Sequence, residues 1–136
     1  MKEIILATHG HLSEEFKATL ELIVGPTDNI RCFCMTKEKS AETGKAELGE
    51  LIAKSDESQL IVMTDLFGGS AANICAEFLM RGHSFRLIAG LNLPMLLTVE
   101  TADSDDISTE SLTQKALEAG GQGVIDVNKV ITEGVG

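Results

Sequence analysis

The side chains able to do chemistry cluster in three short stretches of this 136-residue chain. They are Thr8-His9-Gly10-His11, then Asp65-Leu66-Phe67-Gly68-Gly69-Ser70, then Gly90-Leu91-Asn92-Leu93. A carboxylate that accepts a hydrogen bond from one imidazole nitrogen fixes the tautomer and leaves the other nitrogen's lone pair free to attack. His9 and Asp65 are the candidates for such a pair, although a turn-capping role for Asp65 fits its surroundings equally well. Gly68 and Gly69 let the backbone approach a ligand, and a helix opening at Ser70 presents N–H groups without partners of their own. That turn, with the Ser70 hydroxyl, is a natural cradle for an oxyanion or phosphate. A nucleophilic imidazole, an orienting acid and an anion cradle together suit phosphoryl transfer through a phosphohistidine. The dipole of a helix beginning just after His9 acts in the same direction, favouring neutral histidine and bound anions.

Such residues need elements to bring them together. Short apolar runs at Ile4–Thr8, Ile30–Met35, Leu60–Thr64 and Phe85–Ala89 suit buried parallel strands. Between them lie helical patterns. Leu12, Phe16, Leu20, Ile23 and Val24 recur at helical spacing up to Gly25-Pro26. A second helix is expected from an N-cap at Ser40 to Lys54, weakened by Gly44 and Gly49. A third runs from Ser70 to Arg81, stopped by Gly82, and a short one from Pro94 to Glu100. After an acidic loop, Thr101–Asp106, a last helix is expected from Ser108 to Ala119, ending at Gly120-Gly121, with a short strand at Val124–Val127. Strand and helix alternate, which implies an open, mainly parallel, doubly wound α/β sheet in one domain spanning residues 1–136. With strand order 2-1-3-4, His9 and Asp65 stand on neighbouring strands at the switch point, where such sheets bind ligands.

Composition narrows the function classes. Eleven Lys and Arg against twenty-one Asp and Glu give a net charge of −10. Sequence-independent nucleic-acid binding needs clustered cations, and an anionic membrane surface would repel this chain. Trp and Tyr are absent, so base-stacking platforms have little material. No apolar run approaches the ~18–20 residues of a membrane span, and the run Ile4–Ala7 is too short for a signal-peptide core. Three cysteines give no disulfide framework, and a cytoplasmic location is expected. Cys32 and Cys34, two apart on a strand, share a face and read as small packing groups.

Other chemistry is weighed on the same residues. His9, His11 and Asp65 would make a three-ligand metal set for a hydrolase. Residues two apart at a helix start diverge, however, so no metal is expected. The Asp103, Asp105, Asp106 cluster lacks the glycine and terminal glutamate of an EF-hand and reads as a solvated loop. No nucleotide-binding glycine motif is present. A phosphoacceptor role for Asp65 would require an acidic pair after the first strand, where Thr8-His9 stands instead. His11 is expected on the surface, and His83 at the opposite end of the sheet. Phe67 either covers the site, faces a partner or packs locally.

At ATHGHLSEEF, VMTDLFGGSAAN and IAGLNLPMLL, in that order on the appropriate elements, the chain resembles a known family. This is the enzyme IIA domain of the mannose/fructose/sorbose-type bacterial phosphoenolpyruvate-dependent sugar phosphotransferase system (PTS). The resemblance covers about the first 125 residues. It implies that His9 is phosphorylated by the phosphocarrier HPr and passes the group to the IIB component, with no cofactor. It makes Asp65 the orienting acid and Gly68, Gly69 and Ser70 the phosphate-binding loop. Thr8, Leu66, Phe67 and Asn92 would line the site, and Pro94 would help to close its far side. It further implies a homodimer in which a short antiparallel fifth strand, at Val124–Val127, crosses to the partner's sheet. The protein would act beside membrane IIC and IID components without entering the bilayer. One departure is Ala71, where the family often has proline after the serine. Alternatives are a phosphohistidine regulatory module or the phosphotransfer subunit of a dihydroxyacetone kinase. The complete DLFGGS and LNLPMLL segments favour sugar transport.

Overall fold

Four short, mainly apolar runs decide the architecture. In the computed structural model, which describes residues 1–134, they form strands β1 (Glu3–His9), β2 (Ile30–Met35), β3 (Leu60–Thr64) and β4 (Arg86–Ala89). The sheet order is β2-β1-β3-β4 and every pairing is parallel. Among the described residues six helices accompany it: α1 (Leu12–Val24), α2 (Ala41–Ala53), α3 (Ser70–Met80), α4 (Leu93–Ala102), α5 (Thr109–Gln122) and α6 (Val127–Thr132). A single 3-10 turn, Glu57–Gln59, leads into β3.

Successive side chains point to opposite faces, so each strand feeds two cores. Ile4, Leu6, Ile30, Ile61, Met63 and Ile88 pack with Leu20 of α1, Leu96 and Val99 of α4, and Leu112 and Ala116 of α5. Ile5, Ala7, Phe33 and Val62 face Leu48 and Ile52 of α2 and Ala71, Ile74 and Cys75 of α3. Ile4–Thr8 and all of β3 are wholly covered, which explains their unbroken apolar character. Cys32 and Cys34 share the face toward α1, where Ser13 lies close to both thiols.

Several boundaries and surroundings differ from expectation. The helix expected to stop at Gly120-Gly121 continues to Gln122, with Gly123 at its cap. A side chain at Gly120 would come within 2.8 Å of Met95, so this glycine serves close packing on α4 rather than termination. Gly44 plays the same part in α2, where a Cβ would meet Met35 at 2.9 Å. The helical cost of a glycine, about 1 kcal/mol, is outweighed by burying Leu48 and Ile52, at roughly 1.5–3 kcal/mol each. The strand expected at Val124–Val127 is not formed. Residues 124–126 have no regular structure and Val127 begins α6. A strand requires an edge to pair with, and among the described residues of this single chain the segment pairs with none. At the end of α1, Ile23 and Val24 remain exposed rather than joining the core. Asp103 is not a solvated loop residue. Its carboxylate accepts from the Lys2 backbone N–H at 2.8 Å and faces the Lys2 ammonium at 3.3 Å, both side chains being buried.

Candidate functional site

The carboxyl ends of β1 and β3 are adjacent, with Ala7 opposite Thr64 in register. His9 ends β1, and Asp65 follows β3 directly. Asp65 Oδ2 lies 3.0 Å from His9 Nδ1 and accepts the His9 backbone N–H at 3.1 Å. A carboxylate is an acceptor, so Nδ1 carries the hydrogen, and in the neutral ring Nε2 then holds the lone pair. The imidazole is 47% exposed and the acid 15%, so the ring is open to a visitor while its support is sheltered.

The loop after Asp65 is shaped by its glycines. Gly69 N–H donates to Leu66 O at 3.0 Å, closing a turn whose third residue, Gly68, has φ +84°. That conformation strongly favours glycine. The corner of the turn projects Phe67, 89% exposed, next to an exposed Leu66. Gly69 has ordinary backbone angles but no room for a side chain. A Cβ there would lie 2.6 Å from His9 Cε1 and 3.4 Å from Nε2. The Nε2 edge of the ring therefore abuts the start of α3, where Gly69 is the N-cap and the first-turn N–H groups have no intrahelical acceptor.

An open cleft of about 600 Å³ lies against His9, with Ser70 on one wall and Met35, Thr36, Lys37 and Glu38 on another. Lys37 and its neighbours escaped the sequence reading. The available signal was the strand order, since β2 flanks β1 and its following loop must reach the same mouth. Glu38 is held below the usual carboxylate range, chiefly by the Thr36 hydroxyl and its own backbone N–H.

Not every expected residue faces this cleft. Thr8 is fully buried beneath it, and its hydroxyl accepts the Ser13 N–H at 2.8 Å at the start of α1. Its place is thus under the site rather than on its lining. Asn92 caps α4, accepting from Met95 N–H at 3.0 Å, and donates to Gly120 O at 3.0 Å. Its side chain thereby ties α4 to α5. Ala71, in the first turn of α3, is a core residue. His11 turns to Glu14, 2.9 Å away, and not to Asp65. His83 pairs with Glu57 ahead of β3, at the opposite end of the sheet.

Known proteins resemble this chain in sequence and fold. Residues 3–117 match the family described as the PTS system fructose IIA component (EIIA-man). The mannose-specific EIIAB component of Escherichia coli K12 is 30% identical over 122 residues, covering 89% of this chain. The chain spans only 38% of that relative's length. The sorbose-specific EIIA component of Lacticaseibacillus casei is 28% identical, with 85% of this chain and 83% of that protein covered. Among solved structures, the mannose/sorbose-specific IIA subunit from Enterococcus faecalis superposes with a TM-score of 0.81 at 30% identity, over 93% of this chain and 95% of that one. The phosphotransferase component EIIA from Streptococcus agalactiae gives a TM-score of 0.85 at 23% identity, over 95% and 99%, and supports the fold. With its parallel 2-1-3-4 sheet and a family match across most of its length, the chain belongs to the mannose/fructose/sorbose family of PTS enzyme IIA components.

Proposed function

We propose that this chain is a phosphocarrier, taking a phosphoryl group from HPr on His9 and handing it to a IIB component for sugar uptake. The observation that carries this reading is the Asp65 carboxylate 3.0 Å from His9 Nδ1, which leaves Nε2 beside the start of α3. In the proposed step the Nε2 lone pair attacks phosphorus. The N–P bond of the donor's phosphohistidine breaks, and its electron pair returns to the donor ring. The Nδ1 hydrogen stays on His9, so positive charge develops on the ring and Asp65 offsets it. Gly68, Gly69 and Ser70 supply the cradle for the phosphoryl oxygens, with free N–H groups at the helix start and the Ser70 hydroxyl. Transfer to IIB reverses the same displacement. The step uses no metal or organic cofactor.

The exposed Leu66 and Phe67 form the docking contact for HPr in this reading. The homodimer would form through the C-terminal segment, where Val124, Ile125, Val127 and Ile131 expose apolar side chains. No helix among the described residues is long and apolar enough to cross a membrane, and the proposed place of action is the cytoplasm, beside membrane IIC and IID.

The test is labelling from phosphoenolpyruvate with enzyme I and HPr. The expected product is an acid-labile, alkali-stable phosphoprotein, abolished by His9→Ala and retained by His11→Ala. Label persisting in His9→Ala would remove the proposal. Phe67→Ala is expected to slow transfer from HPr by about tenfold, one modest interface contact. An unchanged rate would move the docking surface elsewhere.

A further inference from the structure

His11, Glu14 and Cys34 are not used by the proposed phosphoryl step, yet they gather donors of three kinds at one point. His11 and Glu14 stand one helical turn apart on α1, and Cys34 comes from β2 beneath. Their ligand atoms all lie within 4.8 Å of one another, with His11 Nδ1 and Glu14 Oε1 at 2.9 Å. They open onto a second cleft of about 580 Å³, which shares His11, Thr36 and Glu38 with the first. We propose that His11, Glu14 and Cys34 form a binding site for a divalent cation of the Zn²⁺ class.

Helix capping does not explain the cluster. His11 occupies the N-cap position of α1 without a side-chain capping bond, and that end is capped by Thr8 instead. Glu14 sits where a capping-box glutamate would reach back to the N-cap N–H, but it faces the imidazole. The donor set, one nitrogen, one sulfur and one oxygen, suits a borderline-soft ion and excludes Mg²⁺ and Ca²⁺, which prefer oxygen alone. Donors around tetrahedral Zn²⁺ stand about 2.0–2.3 Å from the metal and so roughly 3.3–3.8 Å from each other. The observed grouping reaches that spacing by small side-chain rotations, because His11 and Glu14 are exposed and Cys34 is half-buried. The open cleft leaves a fourth position for water.

The charges also balance. A thiolate and a carboxylate neutralise the ion, and the thiol proton goes to solvent on binding. Lys39, beside Cys34, is already committed to Glu47 and the Cys34 carbonyl, each at 2.7 Å. Cys32, two residues away, is the poorer ligand. It stands outside the grouping, and its thiol directs its hydrogen to Ser13 O.

This inference is independent of the phosphocarrier reading. The test is titration of metal-free, fully reduced protein with Co²⁺ and then Zn²⁺. One equivalent of Co²⁺ should give a thiolate-to-metal charge-transfer band that Zn²⁺ displaces. Cys34→Ser should abolish the band and Cys32→Ser should keep it. Glu14→Gln and His11→Ala, both at exposed positions, should each weaken Zn²⁺ binding at least tenfold. Absence of saturable binding would overturn the proposal. So would a band that survives Cys34→Ser, or binding unaffected by both His11→Ala and Glu14→Gln.

Discussion

With Nδ1 tied to Asp65, the Nε2 edge of His9 lies beside the backbone of Gly69, and that close approach leaves no space for a side chain at Gly69. A methyl group there would sit 2.6 Å from His9 Cε1, well inside contact distance. Either the ring or the helix start must move. Gly69→Ala is therefore expected to lower the rate of phosphoryl transfer by roughly 10²-fold, the effect of a displacement of about 1 Å at a reacting group. Its thermal midpoint should change little, because the imidazole that must give way is half-exposed and lies outside the core. Parallel transfer assays and melting curves check this, and an unchanged rate would show that the ring tolerates the shift. Gly68 differs in kind. Its φ of +84° makes any side chain there a backbone problem, although nothing lies near a Cβ built on it.

Among the elements, α1 and α4 bear most directly on the site. The start of α1 is held from below by the Thr8 hydroxyl, which accepts the buried Ser13 N–H. Thr8→Val keeps the shape but leaves that N–H unpaired, at a cost of about 1–3 kcal/mol. A lowered urea midpoint, with labelling of His9 preserved, is the expected outcome. Loss of labelling with stability intact would instead place Thr8 in the chemistry. Near the end of α4, burial raises the Glu100 carboxyl above its ordinary value, the nearby Asp103 adds to this, and a hydrogen bond from Asn29 opposes it. A raised folded pKa means that the protonated form is favoured by folding. The contribution is fully present below the unfolded pKa and is lost as pH rises through the folded one. At neutral pH, then, ionised Glu100 works against the fold. Asn29 Oδ1 nearby is buried without a partner, and the amide introduced by Glu100→Gln can accept from Asn29 Nδ2 and donate to that oxygen. Glu100→Gln should stabilise by about 1 kcal/mol at neutral pH. The advantage should shrink in acid, and melting curves across pH will report it.

For the molecule as a whole, a net charge of −10 coexists with exposed apolar side chains, two groups of which bear on association. One is the Leu66–Phe67 corner beside the site. The other is the stretch from Val124 to Ile131, where Val124 is 81% and Ile131 71% exposed. Like charge keeps copies apart in general, so association requires a specific apolar contact. If the C-terminal surface forms the dimer, Ile131→Glu should shift a two-chain species to single chains in sedimentation equilibrium, while Phe67→Glu should not. A wild-type protein that sediments as one chain at high concentration would dismiss the dimer.

Much of this was legible in the residues. Strands buried on both faces must be continuously apolar, as β1 and β3 are, and the apolar runs of the edge strands β2 and β4 still stand out from the helical spacing between them. Their alternation with helices constrains the sheet to be parallel, and a parallel sheet gathers the segments after its strands at one end. His9, Asp65 and the glycine turn could be named for that reason. Long-range contacts decided the rest. Whether Gly120 ends a helix or presses it against Met95, whether Asp103 meets water or Lys2, and whether Thr8 lines a cleft or holds a helix from beneath all depend on neighbours distant along the chain. Local composition records a residue's own preferences, whereas these roles are set by what the folded chain brings within a few ångströms of it.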